Sequence, residues 1–329
     1  MWIVIGILLL LSIPFGVAYT IYQVGFAAHR EQLPGPHDLP KGNQYEPYAK
    51  DMHETVDKLL ARPFEEVWIT AHDGTRLFGR YYELHGADAP LTILFHGYKS
   101  DSLRDGSGGA ELCATYGNNV LLVDQRAHGK SGGTVITLGI RERLDCVDWI
   151  RYANERFGAE HNILLMGLSM GAATVLMAAG ENLPENVRAI YADCGYSSPL
   201  GIVESVSERV HVPKAIGRWL AWLGMKLYAG VDLKEASAEQ ALKQWDRPLA
   251  LFHGKADRFV PYTHSEVNFS ACKSTEKRMV LVENAGHAMS YYGDRDSFLI
   301  VAEWIFRQSQ RPWKDGLAAT DNQDGSPDR

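Results

Sequence analysis

Short aliphatic and β-branched runs alternate with longer stretches of helical periodicity along most of this chain. Runs at 91–95, 119–124, 162–166, 189–192, 248–252 and 278–282 have the length and composition of buried strands. Between and after them, the patterns at 110–116, 140–157, 170–181, 262–272 and 296–309 predict helices. Ahead of these, residues 66–83 alternate polar and apolar around Asp73-Gly74, a strong hairpin signal. A hairpin followed by β-α repeats predicts an α/β fold, with a mostly parallel central sheet and helices on both faces.

One connection breaks the rhythm. About fifty residues separate the strand ending near Cys194 from the one starting at Pro248, where such loops usually take about 2–6. The amphipathic pieces 200–210 and 213–228 predict a small helical cap over residues 197–246. Its Trp219, Trp222 and Leu223, with Met225, are candidates to line an apolar substrate pocket, or else to pack the cap onto the core.

The first thirty residues have a different character. From Trp2 to Ala28 no charged side chain occurs. About 27 residues at ~1.5 Å rise span roughly 40 Å, more than a bilayer core of about 30 Å. No Lys or Arg precedes the run, and it is longer than a signal-peptide core. Residues 1–30 are therefore expected to be an uncleaved single-pass transmembrane anchor. Positive charge follows at Arg30, Lys41 and Lys50, which places the large domain on the cytoplasmic side of the cell membrane. Removing residues 1–30 should then release a soluble, active domain. Residues 31–59, with Pro34, Pro36 and Pro40, read as linker and lead-in, 60–310 as the main domain, and the polar stretch 311–329 as a disordered tail.

Composition narrows the function classes. Of 329 residues, 46% are hydrophobic and 22% charged, so a sizeable core can form. The net charge of −7, without a Lys/Arg block, disfavours nucleic acid as a partner. Cys113, Cys146, Cys194 and Cys272 are scattered, without metal-ligand spacing, and read as free buried thiols. H-E-x-x-H, the P-loop and a post-strand G-x-G-x-x-G are all absent, so no metal, nucleotide or other cofactor is expected.

The chemistry concentrates in three places. Gly167-Leu-Ser-Met-Gly171 follows the strand at 162–166 and opens the helix at 170: G-x-S-x-G in its strand-turn-helix setting. The tightness of that turn calls for glycine at Gly167 and Gly171 and leaves Ser169 standing at the strand's end. Downstream lie Phe252-His-Gly-Lys-Ala-Asp257 and Ala285-Gly-His287, giving the chain order Ser, Asp, His. Ser169 then reads as nucleophile, His287 as the base that takes its proton, and Asp257 as the acid that orients the imidazole.

With His96-Gly-Tyr98 after one strand and Asp124-Gln-Arg-Ala-His-Gly-Lys-Ser131 after the next, the chain resembles the α/β-hydrolase superfamily over about residues 60–310. It is most similar to bacterial membrane-anchored, serine-aminopeptidase-like and esterase-lipase hydrolases. The second motif departs from the family's D-x-R-G-H-G-x-S at Ala127, where a local backbone adjustment is expected. The resemblance implies an oxyanion hole built from the backbone N–H groups of Tyr98 and Met170. It also raises Asp193 as a rival acid, because some members carry theirs at that strand end. The expected activity is hydrolysis of a carboxylic ester, or of a thioester or amide, with a small-molecule or lipid-like acyl substrate. The alternatives are an aminopeptidase, which needs a carboxylate to hold the substrate's amino end (Glu204, Glu208, Asp232, Glu235 and Glu239 are at hand in the cap), and a catalytically inactive membrane-tethered binding protein.

Overall fold

The computed structural model describes residues 2–40 and 42–311, the side chains of residues 3–10 excepted. Its centre is an eight-stranded sheet. In chain order the strands are β1 (Glu65–Thr70), β2 (Arg76–Tyr82), β3 (Leu91–Phe95), β4 (Asn119–Asp124), β5 (Ile163–Leu168), β6 (Val187–Asp193), β7 (Leu249–Gly254) and β8 (Lys277–Val282). Their spatial order is β1-β2-β4-β3-β5-β6-β7-β8. The β1–β2 and β2–β4 pairs are antiparallel and every other pair is parallel. β3, β4, β6 and β7 are buried along their whole length. Covered on both faces, they read as continuous apolar runs.

The helices are α1 (Trp2–Gly25), α2 (Ala49–Leu60), α3 (Ser102–Tyr116), α4 (Glu142–Phe157), α5 (Met170–Ala178), α6 (Pro199–Arg209), α7 (Lys214–Gly224), α8 (Ala238–Leu242), α9 (Thr263–Ala271), α10 (Ser290–Gly293) and α11 (Arg295–Gln310). Leu59 of α2, Cys113 of α3 and Phe298 and Ile305 of α11 pack on one face of the sheet. Trp149 of α4, the whole of α5, Leu242 of α8 and cap residues Leu200, Ala221 and Met225 pack on the other. A two-faced core over a parallel sheet sends every β-to-α turn to one edge. The segments after β3, β5, β6, β7 and β8 therefore meet there.

The N-terminus corrects the sequence reading. Among the described residues no helix is long and apolar enough to cross a membrane. The single-pass anchor, and the membrane placement and orientation built on it, fall with that finding. The physical reason lies in the second half of α1, which is built into the domain. Ala18 is fully buried, and a Cβ on Gly224 of α7 would lie 2.5 Å from the Ala18 carbonyl oxygen. Tyr228 donates from its hydroxyl to the Phe15 carbonyl (3.1 Å), and its ring meets Tyr19 edge-on at 5.0 Å. Just past the helix, Phe26 enters the main core, and its carbonyl accepts from the Ile136 N–H (2.7 Å). Ala27 forms a β-bridge with Val135, and Arg30 donates to the Ser131 and Gly133 carbonyls. Counting residues 2–28 as one free apolar rod overlooked these tertiary contacts. Cutting at residue 30 would remove part of the core as well as the helix.

Within residues 31–59, α2 docks Val56 and Leu59 in the interior. Their spacing with Met52 carries a helical signal that the prolines upstream obscured. The proposed tail, from residue 312 on, lies outside the described residues. Arg311 at its border accepts from the Arg188 guanidinium through its carbonyl (2.7 Å).

If the segment after α1 is structural, Phe26→Ala should cost about 3 kcal/mol of unfolding free energy, the usual scale for emptying a buried aromatic site. Denaturant melts of the full chain and the variant measure this. A loss below about 1 kcal/mol would mean that the N-terminal segment sits on the domain without stabilising it.

Candidate active site

β5 ends at Leu168, and α5 starts at Met170, so a single residue, Ser169, turns the chain. It does so at φ 55° and ψ −113°, a left-handed backbone that only strong surrounding constraints maintain in a non-glycine residue. Two glycines make the approach possible. A Cβ on Gly167 would sit 2.3 Å from the Gly171 carbonyl carbon, and one on Gly171 would sit 2.0 Å from the Phe95 carbonyl oxygen. The Ser169 N–H donates to the Asp193 carbonyl on the neighbouring strand (2.8 Å), which anchors the turn.

His287, on the loop after β8, reaches the same edge. Its Nε2 lies 3.0 Å from Ser169 Oγ, and its Nδ1 lies 2.6 Å from Asp257 Oδ2. With the Nδ1 proton donated to the carboxylate, Nε2 is left to accept from the serine hydroxyl. The Asp257 side chain is fully buried, which alone would raise its pKa. Hydrogen bonds from His253 and His287 outweigh burial and hold the carboxyl well below the usual range. Its other oxygen, Oδ1, accepts from the Phe259 and Val260 N–H groups (2.8 and 2.9 Å). His253 is itself fixed, with Nδ1 bonded to the Ser265 hydroxyl (2.7 Å) and Nε2–H shared between the Val260 carbonyl (2.8 Å) and Asp257 Oδ2 (3.3 Å).

Asp193 does not share this geometry. Its carboxylate accepts from the Ser290 hydroxyl (3.1 Å), and among the described residues it makes no hydrogen bond to His287. Burial pushes its pKa up to about 6. The two carboxyls thus differ in partner and in the direction in which their surroundings move their pKa.

The two amides named for an oxyanion hole lie on either side of Ser169: Met170 opens α5, and Tyr98 follows β3. Among the described residues neither N–H is hydrogen-bonded to another group. The first turn of a helix leaves such donors free and partly positive. The Tyr98 loop is held from below. Gly97 N–H donates to Asp105 Oδ2 (2.9 Å), and Lys99 N–H donates to His128 Nε2 (3.0 Å). His96 Nε2 accepts from the Gln125 N–H (3.0 Å), so its Nδ1–H donates to the Gly97 carbonyl (2.8 Å). Burial drops His128 to about 3, so it stays neutral, and its own Nδ1–H goes to the Arg126 carbonyl. Ala127 sits at φ 67°, in the left-handed region that favours glycine.

The surrounding cleft has a volume of about 1520 Å³. Its wall holds a surprise for the sequence reading, since residues between His29 and Tyr45 contribute much of it. Tyr45 is buried and donates from its hydroxyl to the His287 carbonyl (2.9 Å). A Cβ on Gly286 would fall 1.7 Å from Gln44 Oε1. No local motif marks Gln44 or Tyr45, because the contact joins positions more than 240 residues apart. Trp219, Trp222 and Leu223 are not brought to the cleft wall. Trp219 is exposed, and Trp222 donates from its indole N–H to Asp232 (3.0 Å).

Two clusters bring metal-type donors within 4.8 Å of one another, Cys194 with Asp257 and His287, and His72 with Asp145 and Asp148. In the first, Asp257 and His287 already bond each other. In the second, Asp145 makes a two-pronged pair with Arg126 (2.5 and 2.6 Å), and Asp148 pairs with Arg151 and His72. These donors are engaged as ion pairs and hydrogen bonds. All four cysteines are free and buried.

A mostly parallel sheet with a Ser-His-Asp cluster at the carboxyl ends of its strands defines a serine hydrolase of the α/β-hydrolase superfamily. Residues 136–311 match the prolyl oligopeptidase family, and the chain belongs to it. The uncharacterized protein YqkD of Bacillus subtilis (strain 168) is 28% identical over 243 residues, covering 71% of this chain and 78% of YqkD. The Pyrococcus furiosus esterase Pf2001 superposes with a TM-score of 0.60 at 22% identity, covering 77% of this chain and 95% of the esterase. The Pyrococcus horikoshii acylaminoacyl peptidase superposes at 0.56 with 16% identity, covering 77% of this chain and 43% of the peptidase.

The charge state of Asp193 is testable through stability. Its folded carboxyl keeps a proton that the unfolded chain releases above the ordinary carboxylate value of 3.8. Folding stability is therefore lost as pH rises from that value to about 6. Asp193→Asn removes this loss. The variant should gain roughly 2 kcal/mol on the wild type between pH 4 and pH 7 in denaturant melts. A gap that stays constant over that range would mean that Asp193 is ionised in the fold.

Proposed function

We propose that this chain hydrolyses carboxylic esters through an acyl-enzyme on Ser169. The observation that carries the reading is the pair of contacts at His287, 3.0 Å to Ser169 Oγ and 2.6 Å to Asp257. Ser169 attacks the ester carbonyl while His287 Nε2 takes its proton. Asp257, held ionised, keeps the imidazole in the required tautomer and stabilises the imidazolium. The Met170 and Tyr98 N–H groups donate to the oxygen that becomes negative, each worth about 3 kcal/mol of barrier in comparable sites. His287 then protonates the departing alcohol, and water enters by the reverse path to free Ser169.

The aminopeptidase alternative is weaker on this structure. All five cap acids that could hold an amino end are committed elsewhere. Glu204 pairs with Arg218, Glu208 with Lys214 and Glu235 with Arg143. Asp232 accepts from Trp222 and pairs with Lys226, and Glu239 lies 4.0 Å from Lys243. None of the five lines the cleft. The intact contacts at Ser169 also weigh against an inactive binding protein. The superposed neighbours include an esterase and an acylaminoacyl peptidase, so the fold alone does not choose between the two substrates. With Trp219, Trp222 and Leu223 away from the cleft, nothing in the cap argues for a long acyl chain.

Ser169→Ala should lower hydrolysis of short p-nitrophenyl esters by about 10⁴-fold or more and abolish fluorophosphonate labelling. Labelling that persists in a folded variant would sink the assignment. Aminoacyl-nitroanilides run alongside should be turned over more slowly than the esters, and the reverse ranking would promote the peptidase.

The two carboxyls should also separate. Asp257→Asn should cost about 10⁴-fold in kcat by leaving the imidazole in the wrong tautomer. Asp193→Asn should cost far less. Equal losses, or the opposite order, would move the orienting role to Asp193.

A further inference from the structure

The cleft around Ser169 is not evenly charged. Its acidic lining residues are Glu31, Asp38 and Asp105. Asp105 is matched by Arg104 (3.1 Å) and also accepts from Gly97 N–H. Glu31 and Asp38 lie on the N-terminal segment. Arg209 and Arg258 also line the cleft. Among the described residues neither guanidinium has a carboxylate partner. The Arg209 guanidinium lies over the Phe259 ring at 5.6 Å, and that ring meets the His287 imidazole edge-on at 5.2 Å. Arg258 sits in the chain between Asp257 and Phe259, on the loop that delivers the acid. In a chain of net charge −7, two unmatched arginines beside the reacting groups call for a chemical reason. Planar guanidinium forks suit carboxylate and phosphate oxygens.

We propose that Arg209 and Arg258 form an anion subsite on the His287 side of the cleft, selecting esters that also carry a carboxylate or phosphate group. The proposal rests on the ester reading above and deepens it.

The test compares kcat/KM of the full chain on two matched substrates, the mono-p-nitrophenyl ester of glutaric acid and p-nitrophenyl valerate. Because both arginines are exposed, the effect should be modest, with the anionic ester favoured about fivefold. Arg209→Gln and Arg258→Gln should each reduce that ratio about twofold, and the double variant should bring it near one. About 0.5 M salt should compress the wild-type ratio in the same direction. Glutarate and inorganic phosphate, added as competitors against the neutral ester, distinguish the two anion types by which inhibits at the lower concentration. A wild-type ratio of one or below, a ratio retained by the double variant, or no inhibition by either anion would overturn the subsite. If wild type turns over neither ester, the ester reading fails and takes the subsite with it. If the neutral ester is hydrolysed through Ser169 without charge selectivity, the subsite alone falls.

Discussion

Everything at this site depends on one turn, in which a strand becomes a helix within the space of Ser169. Such a turn forces a left-handed backbone on a residue with a side chain, a cost of order 1–3 kcal/mol. It holds because three neighbours leave no room for relaxation. Gly167 lets β5 and α5 close, and Gly171 lets α5 approach the end of β3, to distances at which no Cβ fits, and the Asp193 carbonyl fixes the Ser169 N–H. The strain is what points the hydroxyl away from the sheet and toward the loops. It also makes Met170 the first residue of a helix, so one geometric choice places both the Ser169 hydroxyl and an unpaired N–H donor on the same turn.

The loops that meet Ser169 are set by a second kind of constraint, buried histidines whose ring nitrogens bridge separate segments. His96, His128 and His253 each follow or adjoin a strand end, and each joins two backbone segments that would otherwise move independently. Each imidazole has two ring nitrogens that can bond to different segments, as His96 does between the Gln125 N–H and the Gly97 carbonyl. His253 does this while also touching Asp257 at 3.3 Å, which couples the loop's shape to the acid's ionisation.

Local order and local motif were legible in the sequence; long-range pairing was not. The runs at 91–95 and 119–124 coincide with β3 and β4, because strands buried on both faces are unbroken apolar segments. The elbow and its two partners could be read because each stands at a strand end with short-range spacing. The N-terminal run deceived for the complementary reason. Hydrophobicity reports that a segment avoids water and says nothing of which surface covers it. Ala18, Tyr22 and Phe26 are covered by the domain. The same limit applies to Trp219, Trp222 and Leu223, where an aromatic cluster in a predicted cap could face the cleft, the core or α1. Helix α2 was hidden behind prolines, and Tyr45 reaches His287 across most of the chain's length.

These contacts tie the site to the N-terminus in a way the fold alone does not require. Tyr98, whose backbone faces Ser169, sends its side-chain hydroxyl to the Gly25 carbonyl at the end of α1 (2.7 Å). Lys99 sends its ammonium to the Val24 carbonyl, one residue earlier (2.7 Å). A helix C-terminus carries unpaired carbonyls with partial negative charge, and both groups are donors. The last turn of α1 is thus capped by the same loop that presents the Tyr98 N–H to the cleft. On the far side, Tyr45 braces the loop that carries His287. The segment joining α1 to the core therefore touches both loops that flank Ser169. Any shift of α1 on the cap would be transmitted to the Tyr98 loop through two hydrogen bonds. The base would be reached separately, through Tyr45.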